Sequence, residues 1–189
     1  MKHVLVIIGI ILAITSIVMG SYMPFHKAQI YIHAMNNLSN VKTIDGFKES
    51  FDRVFNFYSP IGGEESFKFL SNNIIGFISN KDQPEAVSRT LVDYVEPRSE
   101  RNNVIHLLTL ANMYKILWQN YGLETDYKKT ESYLREAMVI GPKLPPVLYF
   151  LLDIYVNKGD APHAKEIAGK ILELWPSDAQ VEQIYSQIK

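Results

Sequence analysis

Histidines and adjacent acids are the side chains of this sequence best suited to metal binding or acid–base catalysis. His33, His106 and His163 stand far apart, and none lies in a His-Glu-x-x-His or similar metal-binding pattern. We therefore interpret each as a surface or core histidine and predict no metal site. Glu64 and Glu65 are consecutive, so a helix would point them to different sides, and we expect them to favour a helix N-terminus through its dipole.

Other signatures of catalysis are also missing from the sequence. The chain has no cysteine, which removes disulfides, thiolate catalysis and Cys-based zinc sites. It contains neither a G-x-S-x-G motif nor a phosphate-binding glycine-rich loop, and we interpret Gly62-Gly63 as a turn. We therefore predict a protein that is not an enzyme and that carries no cofactor.

Length and charge narrow the class of protein further. A chain of 189 residues has room for one membrane segment and one modest globular domain, and its 47% hydrophobic and 12% aromatic content allows a buried core. The 19 basic and 20 acidic side chains give a formal net charge of -1, so no positive field is available to collect phosphates. Nucleic acid is therefore not expected as a partner.

The N-terminal segment, residues 4–23, carries no charged side chain. A helix of about 20 residues spans the roughly 30 Å hydrocarbon core of a bilayer, so this segment can cross a membrane. Lys2 and the α-amino group precede it, and His26 and Lys27 follow it, so the positive-inside rule slightly favours a cytoplasmic N-terminus. The prediction is a single-pass membrane protein with its soluble domain outside the cytoplasm.

A cleaved signal peptide is the alternative for the same segment. Val18 and Gly20 occupy the small-residue positions of a cleavage site before Ser21. A short charged region and an apolar run longer than the usual roughly 7–15 residues favour an anchor instead. Cleavage would make the protein a secreted, soluble repeat protein.

The rest of the sequence places apolar residues at steps of three and four, as amphipathic helices do, with no strand alternation. The predicted buried faces of the first three helices are Phe47, Phe51, Val54, Phe55 and Tyr58; Phe67, Leu70, Ile74, Phe77 and Ile78; and Val87, Leu91, Tyr94 and Val95. The predicted helix boundaries are a turn at 59–63, a capping box of Asp82 and Glu85, a helix end at Pro97 and an N-cap at Ser99. This pattern predicts an all-α fold.

Residues 147–176 follow a stricter pattern. Large, small and proline positions recur at Leu148, Leu151, Tyr155, Ala164, Ala168 and Pro176. Gly159-Asp160 is suited to end one helix and cap the next, and Pro162 is tolerated in a first helical turn. The stretch resembles a tetratricopeptide repeat, a pair of antiparallel helices of about 34 residues. The resemblance implies a stacking surface in which Tyr155 fills the gap beside the small Ala164.

The same pattern occurs once upstream. The matching residues are Leu107, Leu110, Ala111 and Tyr114 in the first helix and Asp126, Tyr127, Leu134, Ala137 and Pro142 in the second. An insertion of about seven residues relative to the usual period falls in ILWQNYGLET, and we interpret it as a lengthened first helix and a longer turn.

The predicted architecture is an N-terminal transmembrane helix followed by an α-α superhelix of tetratricopeptide-like hairpins and a C-terminal capping helix. Ser177 and Gln180 are interpreted as the capping box of that last helix, whose Val181, Ile184, Tyr185 and Ile188 would cover the final repeat. We expect the helix pairs at 28–58 and 64–95 to stack in front as imperfect repeats. The predicted domains are a transmembrane helix or signal anchor in 1–25, degenerate helical repeats in 26–97, and repeats plus capping helix in 98–189.

In tetratricopeptide repeats the first helices line a concave binding face. The family's groove positions correspond here to Asn112 and Lys115 in one repeat and to Tyr149, Asp153 and Asn157 in the next. The resemblance implies that Lys115 and Asn112 meet a carboxylate of a peptide and that Tyr149 offers an aromatic contact. The leading hypothesis is a non-catalytic, membrane-anchored scaffold that binds a protein or peptide partner in the bacterial cell envelope.

A second resemblance concerns the layout of the whole chain. An apolar span, a helix-rich segment containing FNFYSPIGGEE and a repeat with a lengthened first helix look like the soluble tail of some bacterial O-antigen ligase and polymerase family membrane proteins. That family transfers or polymerises lipid-linked glycans within a multi-span portion, which is not part of this sequence. The resemblance implies an accessory or split-off tail that acts with a multi-span glycan ligase or polymerase, and it assigns no catalytic residue.

Overall fold

The structure is a computed structural model, and it describes residues 2–188. The regular structure in these residues is helical and contains no strand, which confirms the all-α prediction. The chain divides into two compact units, Met1–Asn73 and Ile74–Lys189, which we name the N-terminal and C-terminal units. Met1, whose α-amino group entered the topology prediction, and Lys189, the last residue of the predicted third domain, lie outside the described residues.

The N-terminal unit begins with helix α1, Lys2–Ile17, which passes through a π-helical turn, Val18–Tyr22, into helix α2, Met23–Asn36. The backbone stays in the right-handed helical region at Ile17, Tyr22 and Met23, so helical geometry continues from α1 into α2. This stretch is long and apolar enough to cross a membrane, and none of its most apolar part is buried within the protein. The apolar segment therefore continues directly into the first helix that packs against the rest of the unit.

Helix α3, Ile44–Asn56, packs against α2 after a short 3₁₀ turn, Leu38–Asn40. Thr43 caps α3 by accepting a hydrogen bond of 3.1 Å from the Gly46 backbone N–H. The predicted face is largely confirmed, because Phe47, Phe51 and Val54 are buried. Tyr58 is exposed, contrary to the prediction, because the backbone turns extended at Phe57 and Tyr58 leaves the helical face.

Helix α4, Gly63–Ile78, contains the division between the two units. The predicted residues Phe67, Leu70, Ile74 and Ile78 are buried. Phe77 was also predicted on the buried face but is exposed, because it lies at the edge of the stripe that the other four residues form.

The C-terminal unit contains α5 (Glu85–Val95), a 3₁₀ turn (Glu96–Arg98), α6 (Val104–Tyr121), α7 (Glu124–Ile140), α8 (Pro145–Lys158), α9 (Ala161–Leu174) and α10 (Ala179–Gln187). Helices α6 and α7 form one antiparallel hairpin, α8 and α9 form a second, and α10 packs on α9. The predicted α5 residues Leu91, Tyr94 and Val95 are buried, and Val87 is half-buried.

Short loops close both hairpins with a glycine in the left-handed region. Gly122 has φ 74° and Gly159 has φ 77°, where an L side chain would be strained. Asp160 then caps α9 by accepting a hydrogen bond from the His163 backbone N–H, and Pro162 lies in the first turn. These three predictions for the 159–162 turn are confirmed.

Three other cap predictions are wrong. Helix α5 follows Pro84 rather than a capping box that starts at Asp82, whose N–H instead bonds Asn80. Ser99 donates to the Glu96 carbonyl and closes the 3₁₀ turn, so Asn103 caps α6. Asp178 caps α10 in place of Ser177, because its carboxylate accepts from the Val181 N–H at 3.0 Å.

The predicted seven-residue insertion lies wholly within helices. Helix α6 has 18 residues against 14 in α8, and α7 has 17 against 14 in α9. The turns are of equal length, Gly122-Leu123 in the first hairpin and Gly159-Asp160 in the second. The lengthened first helix is confirmed and the longer turn is wrong. As a result, helix starts lie 41 residues apart from Val104 to Pro145 and 34 apart from Pro145 to Ala179.

Packing in the C-terminal unit uses most of the predicted apolar positions. The fully buried ones include Leu107, Leu110, Ala111, Leu134, Ala137, Leu148, Leu151, Tyr155, Ala164 and Ala168. In the last helix Val181 is buried, whereas Tyr185 is exposed at the edge of the contact with α9. The predicted cover over the final repeat is therefore narrower than expected.

Candidate binding groove

The five residues predicted to bind a partner lie on helices α6 and α8, and the side chain of Lys115 connects the two helices. Lys115 on α6 reaches across to α8, where its Nζ is 2.5 Å from Asp153 Oδ2. The same ammonium group lies 5.2 Å from the centroid of the Phe150 ring. We name the surface formed by Asn112, Lys115, Tyr149, Asp153 and Asn157 the α6–α8 face.

Asp153 is the centre of the polar contacts on this face. Asn157 donates its side-chain N–H groups to the Asp153 carbonyl and to Oδ1, both at 2.8 Å. Asp153 therefore accepts from Lys115 and Asn157 together. The side chains of Lys115 and Asp153 are 21% and 43% exposed, so solvent and ligands still reach the pair.

Lys115 is therefore already paired in the free protein. The sequence predicted that Lys115 and Asn112 meet a ligand carboxylate. Such a carboxylate would have to compete with Asp153 for the ammonium group. Asn112 is half-buried on α6 and makes no hydrogen bond with another described side chain, so its amide is available to a partner.

Tyr149 marks the other end of the face. Tyr149, Asp153 and Asn157 follow one another at steps of four along α8, which places them in one row of roughly 12 Å. The Tyr149 hydroxyl donates to Asp178, and its ring lies 6.1 Å from the ring of Trp175. The hydrogen bond to Asp178 raises the pKa of Tyr149 and lowers the pKa of Asp178.

Two aromatic residues that the sequence did not predict for this face, Phe150 and Trp175, also lie on it. Both are aromatic residues of the C-terminal unit, but no spacing rule connects Phe150 to Lys115 or Trp175 to Tyr149. Their place becomes visible only when α6, α8 and the end of α9 are packed. The α6–α8 face thus combines one ion pair, two amides and three aromatic rings.

A second polar cluster, centred on Glu96, was also missed. Tyr114 donates to Glu96 Oε2 at 2.6 Å, Tyr133 donates to Oε1, and Lys129 lies 2.9 Å from both oxygens. Burial raises the pKa of Glu96, but the hydrogen bonds from the two tyrosines and Lys129 outweigh burial and hold that pKa below its usual value. The cluster ties the turn after α5 to α6 and α7, and its groups are already hydrogen-bonded to one another.

The three histidines considered for metal binding have local partners. His106 is buried and its Nδ1 accepts a hydrogen bond of 2.9 Å from the Glu100 N–H. His163 Nδ1 lies 2.8 Å from Asp160, and His33 bonds Asn37. Within residues 2–188 no group of three or more His, Asp or Glu side chains is placed to hold a metal ion. Glu64 and Glu65 lie in the first turn of α4.

The N-terminal unit has a separate open groove of about 880 Å³ between α2 and α3. Its charged lining residues are Lys42, Glu49 and Arg53, and the last two form a highly exposed ion pair of 3.2 Å. Mixed charge and wide exposure leave this groove without a distinct ligand chemistry.

Comparison with known proteins does not add an assignment: no protein-family model matches the sequence, and no curated protein is significantly similar to it.

Proposed function

We propose that this chain is a single-pass membrane protein with tetratricopeptide-like hairpins that bind a protein partner along the α6–α8 face. The ion pair between Lys115 and Asp153 carries the proposal, because it joins the first helices of two successive hairpins. Side-by-side first helices form one continuous surface, and repeat proteins bind partners on such surfaces. The protein would act by contact and without catalysis.

The repeat assignment is supported by the register of the two hairpins. Each ends its first helix with a left-handed glycine, Gly122 or Gly159. The second hairpin is followed by α10 after 34 residues, which is the tetratricopeptide period. The equivalent tyrosines Tyr114 and Tyr155 are both buried.

The α6–α8 face suits a peptide of mixed polarity. Lys115 and Asp153 offer one charge of each sign, and Asn112 and Asn157 offer amide donors and acceptors. Tyr149 adds a rigid aromatic surface at low conformational cost. Because Asp153 already holds Lys115, a charged partner exchanges one ion pair for another, so these charges contribute more to specificity than to affinity.

The membrane part of the proposal rests on α1 and the apolar start of α2. The segment 4–23 is free of charge and its side chains are exposed as far as Tyr22, which is costly in water and favourable in lipid. We propose that it stays attached as an anchor, with the soluble units outside the cytoplasm, in the cell envelope. A carbonate-washed membrane fraction should retain the protein, with residues 1–20 present in its mass; a soluble product beginning near Ser21 would contradict the anchor.

Site-specific photo-crosslinking tests the binding face. A photoreactive amino acid at Asn112 or Asn157 should give a discrete protein adduct in the native membrane, whereas one at Lys128, exposed on α7, should not. Adducts of equal yield at all three positions would overturn the proposed face. A multi-span glycan ligase or polymerase as the adduct would identify the protein as an accessory of that enzyme.

A charge exchange separates recognition from simple structural support. Asp153→Lys alone places two cations together and should reduce the adduct at Asn157. The double variant Lys115→Glu with Asp153→Lys restores an ion pair of reversed polarity. If the partner reads the charges, the double variant should stay defective; recovery of the adduct would show that the pair only holds α6 against α8.

A further inference from the structure

The loop between α3 and α4 lies beside the N-terminal end of α2, where the apolar segment ends. Helix α3 runs antiparallel to α2, because Tyr31 contacts Phe51 while the earlier His26 contacts the later Phe57, with ring centroids 6.3 Å and 5.1 Å apart. The C-terminal end of α3 therefore lies beside the N-terminal end of α2.

Helix α4 also begins beside the N-terminal end of α2. Gly62 lies beside Lys27, whose Cδ is 3.6 Å from the position of a Cβ on the glycine. Further along, the rings of Tyr31 and Phe69 are 6.3 Å apart, so α4 runs in the direction of α2. Residues 57–62, which we name the juxtamembrane loop, thus lie at the end of the packed helices α2–α4 that is nearest to residue 23.

The position of this loop relative to a bilayer follows from helix geometry. If the hydrocarbon core ends at Met23, Lys27 lies four residues further, or about 6 Å at 1.5 Å per residue. The headgroup region on each side of the core is about 5–8 Å thick. The juxtamembrane loop, which contacts His26 and Lys27, is therefore level with the lipid headgroups.

The loop is built to present apolar side chains at that level. Its sequence FYSPIG has no charge, and Tyr58 and Ile61 are 65% and 56% exposed. On α2 itself Phe25 is 65% exposed at a neighbouring depth. Aromatic residues are enriched at membrane interfaces because the ring is apolar and a tyrosine hydroxyl stays hydrated.

Hydrogen bonds hold the loop in this form. Lys27 Nζ donates to the Phe57 carbonyl at 3.2 Å, and the side chain of Lys27 is covered in the process. The Ser59 hydroxyl donates to the Ile61 carbonyl at 2.6 Å, which closes the turn that carries both exposed side chains. A fixed turn does not lose backbone freedom when it enters an interface.

We propose that the juxtamembrane loop is a second membrane contact, in which Tyr58 and Ile61 enter the headgroup–acyl boundary of the bilayer that α1 crosses. The proposal rests on the membrane anchor proposed above and extends it. The loop and α1 together fix helices α2–α4 against the membrane at two points, whereas α1 alone would leave them free to tilt.

Depth measurement on single-cysteine variants tests this contact, and the chain contains no native cysteine to replace. Ile61→Cys, Lys42→Cys and Ile10→Cys are spin-labelled separately in the full chain and reconstituted in vesicles of phosphatidylethanolamine and phosphatidylglycerol. The accessibility of each label to oxygen and to a water-soluble nickel chelate is then compared. Ile10 is the lipid reference, and Lys42, exposed in the turn between α2 and α3, is the water reference.

The expected result is an oxygen-to-nickel accessibility ratio at Ile61 several-fold above that at Lys42 and closer to that at Ile10. A ratio at Ile61 equal to that at Lys42, with Ile10 in lipid, would overturn the loop contact and leave the anchor intact. A water-exposed label at Ile10 would refute the anchor, and the loop contact with it.

Discussion

Arg89 on α5 donates two hydrogen bonds of 2.8 Å to Asp126 on α7, one to each carboxylate oxygen. The side chain of Asp126 is only 3% exposed, and that of Arg89 is 26% exposed. Fork-shaped pairing of this kind fixes both distance and angle between the two side chains. The pair therefore sets how the helix before the first hairpin meets its second helix.

Removing the arginine should be strongly destabilising. Arg89→Leu leaves the buried Asp126 carboxylate without its counter-ion, which typically costs about 3–5 kcal/mol. Thermal unfolding followed by circular dichroism in detergent micelles measures the loss. Arg53→Leu is the matched control, because Arg53 pairs with Glu49 on the surface and such exposed pairs contribute little. Equal effects of the two substitutions would contradict the structural role of the Arg89–Asp126 pair.

The Glu96 cluster should make stability depend on acid pH. The folded-state pKa of Glu96 lies below its ordinary value of 4.5, so its ionised form stabilises the fold. This contribution is fully present above about pH 4.5 and is lost as the pH falls through the lower folded-state pKa. Glu96→Gln should therefore lower the unfolding midpoint at pH 7 and flatten its decline below pH 4.5.

Glu173→Gln is the control for that experiment, because Glu173 is exposed on α9 and has no ion pair with another described residue. It should leave the pH profile unchanged. A Glu96→Gln profile that parallels the wild-type profile below pH 4.5 would show that this carboxylate does not carry the acid dependence.

The phenol of Tyr127 should lose its proton at a higher pH than an ordinary tyrosine. Burial, together with the carboxylates of Glu131, Asp160 and Glu124, raises the pKa of Tyr127 to about 12. Because the raised pKa favours the neutral phenol in the folded state, its contribution to stability is present below about pH 10 and is lost between about pH 10 and 12. The absorbance titration of the Tyr127→Phe variant is subtracted from that of the wild type. The difference should show one phenol with a midpoint near pH 12. A midpoint near pH 10 would mean that Tyr127 is open to solvent.

The stacked hairpins should depend on their buried leucines. Leu151 is fully buried in α8, and Leu151→Ala should cost about 2–5 kcal/mol through lost burial and the cavity left behind. Val139→Ala on α7 is the control, because Val139 is 83% exposed and surface changes usually stay within about 0.5 kcal/mol. A loss below that level for Leu151→Ala would show that the helical register is wrong.

The hydroxyl of Tyr155 allows a finer test of the same packing. Tyr155 donates to Glu131 at 2.8 Å, and its ring stacks on His163 at 5.1 Å. Tyr155→Phe keeps the ring and removes the hydrogen bond, so it should cost about 1–3 kcal/mol, whereas Tyr155→Ala should cost about 3–5. Equal losses would mean that the ring itself contributes nothing to the packing of α8.

The sequence predicted a local feature correctly where the backbone conformation strongly favours one residue type. Gly159 was predicted at the left-handed turn because other residues are strained there, and it has φ 77°. Caps were predicted less well, since Ser99 and Asn103 can both cap a helix and the sequence does not rank them. The Ser99 hydroxyl bonds the Glu96 carbonyl in the preceding 3₁₀ turn, and Asn103 caps α6 instead.

The sequence by itself determined the helices, most of their buried residues and the apolar N-terminal segment, because these depend on the spacing of residue types along one helix. Only the tertiary structure decided which polar groups meet. Lys115 and Asp153 are 38 positions apart, and Tyr133 and Glu96 are 37 apart. Each pair joins separate elements of the C-terminal unit, so its distance is set by how those elements pack, and a periodic pattern along one helix holds no information on that packing.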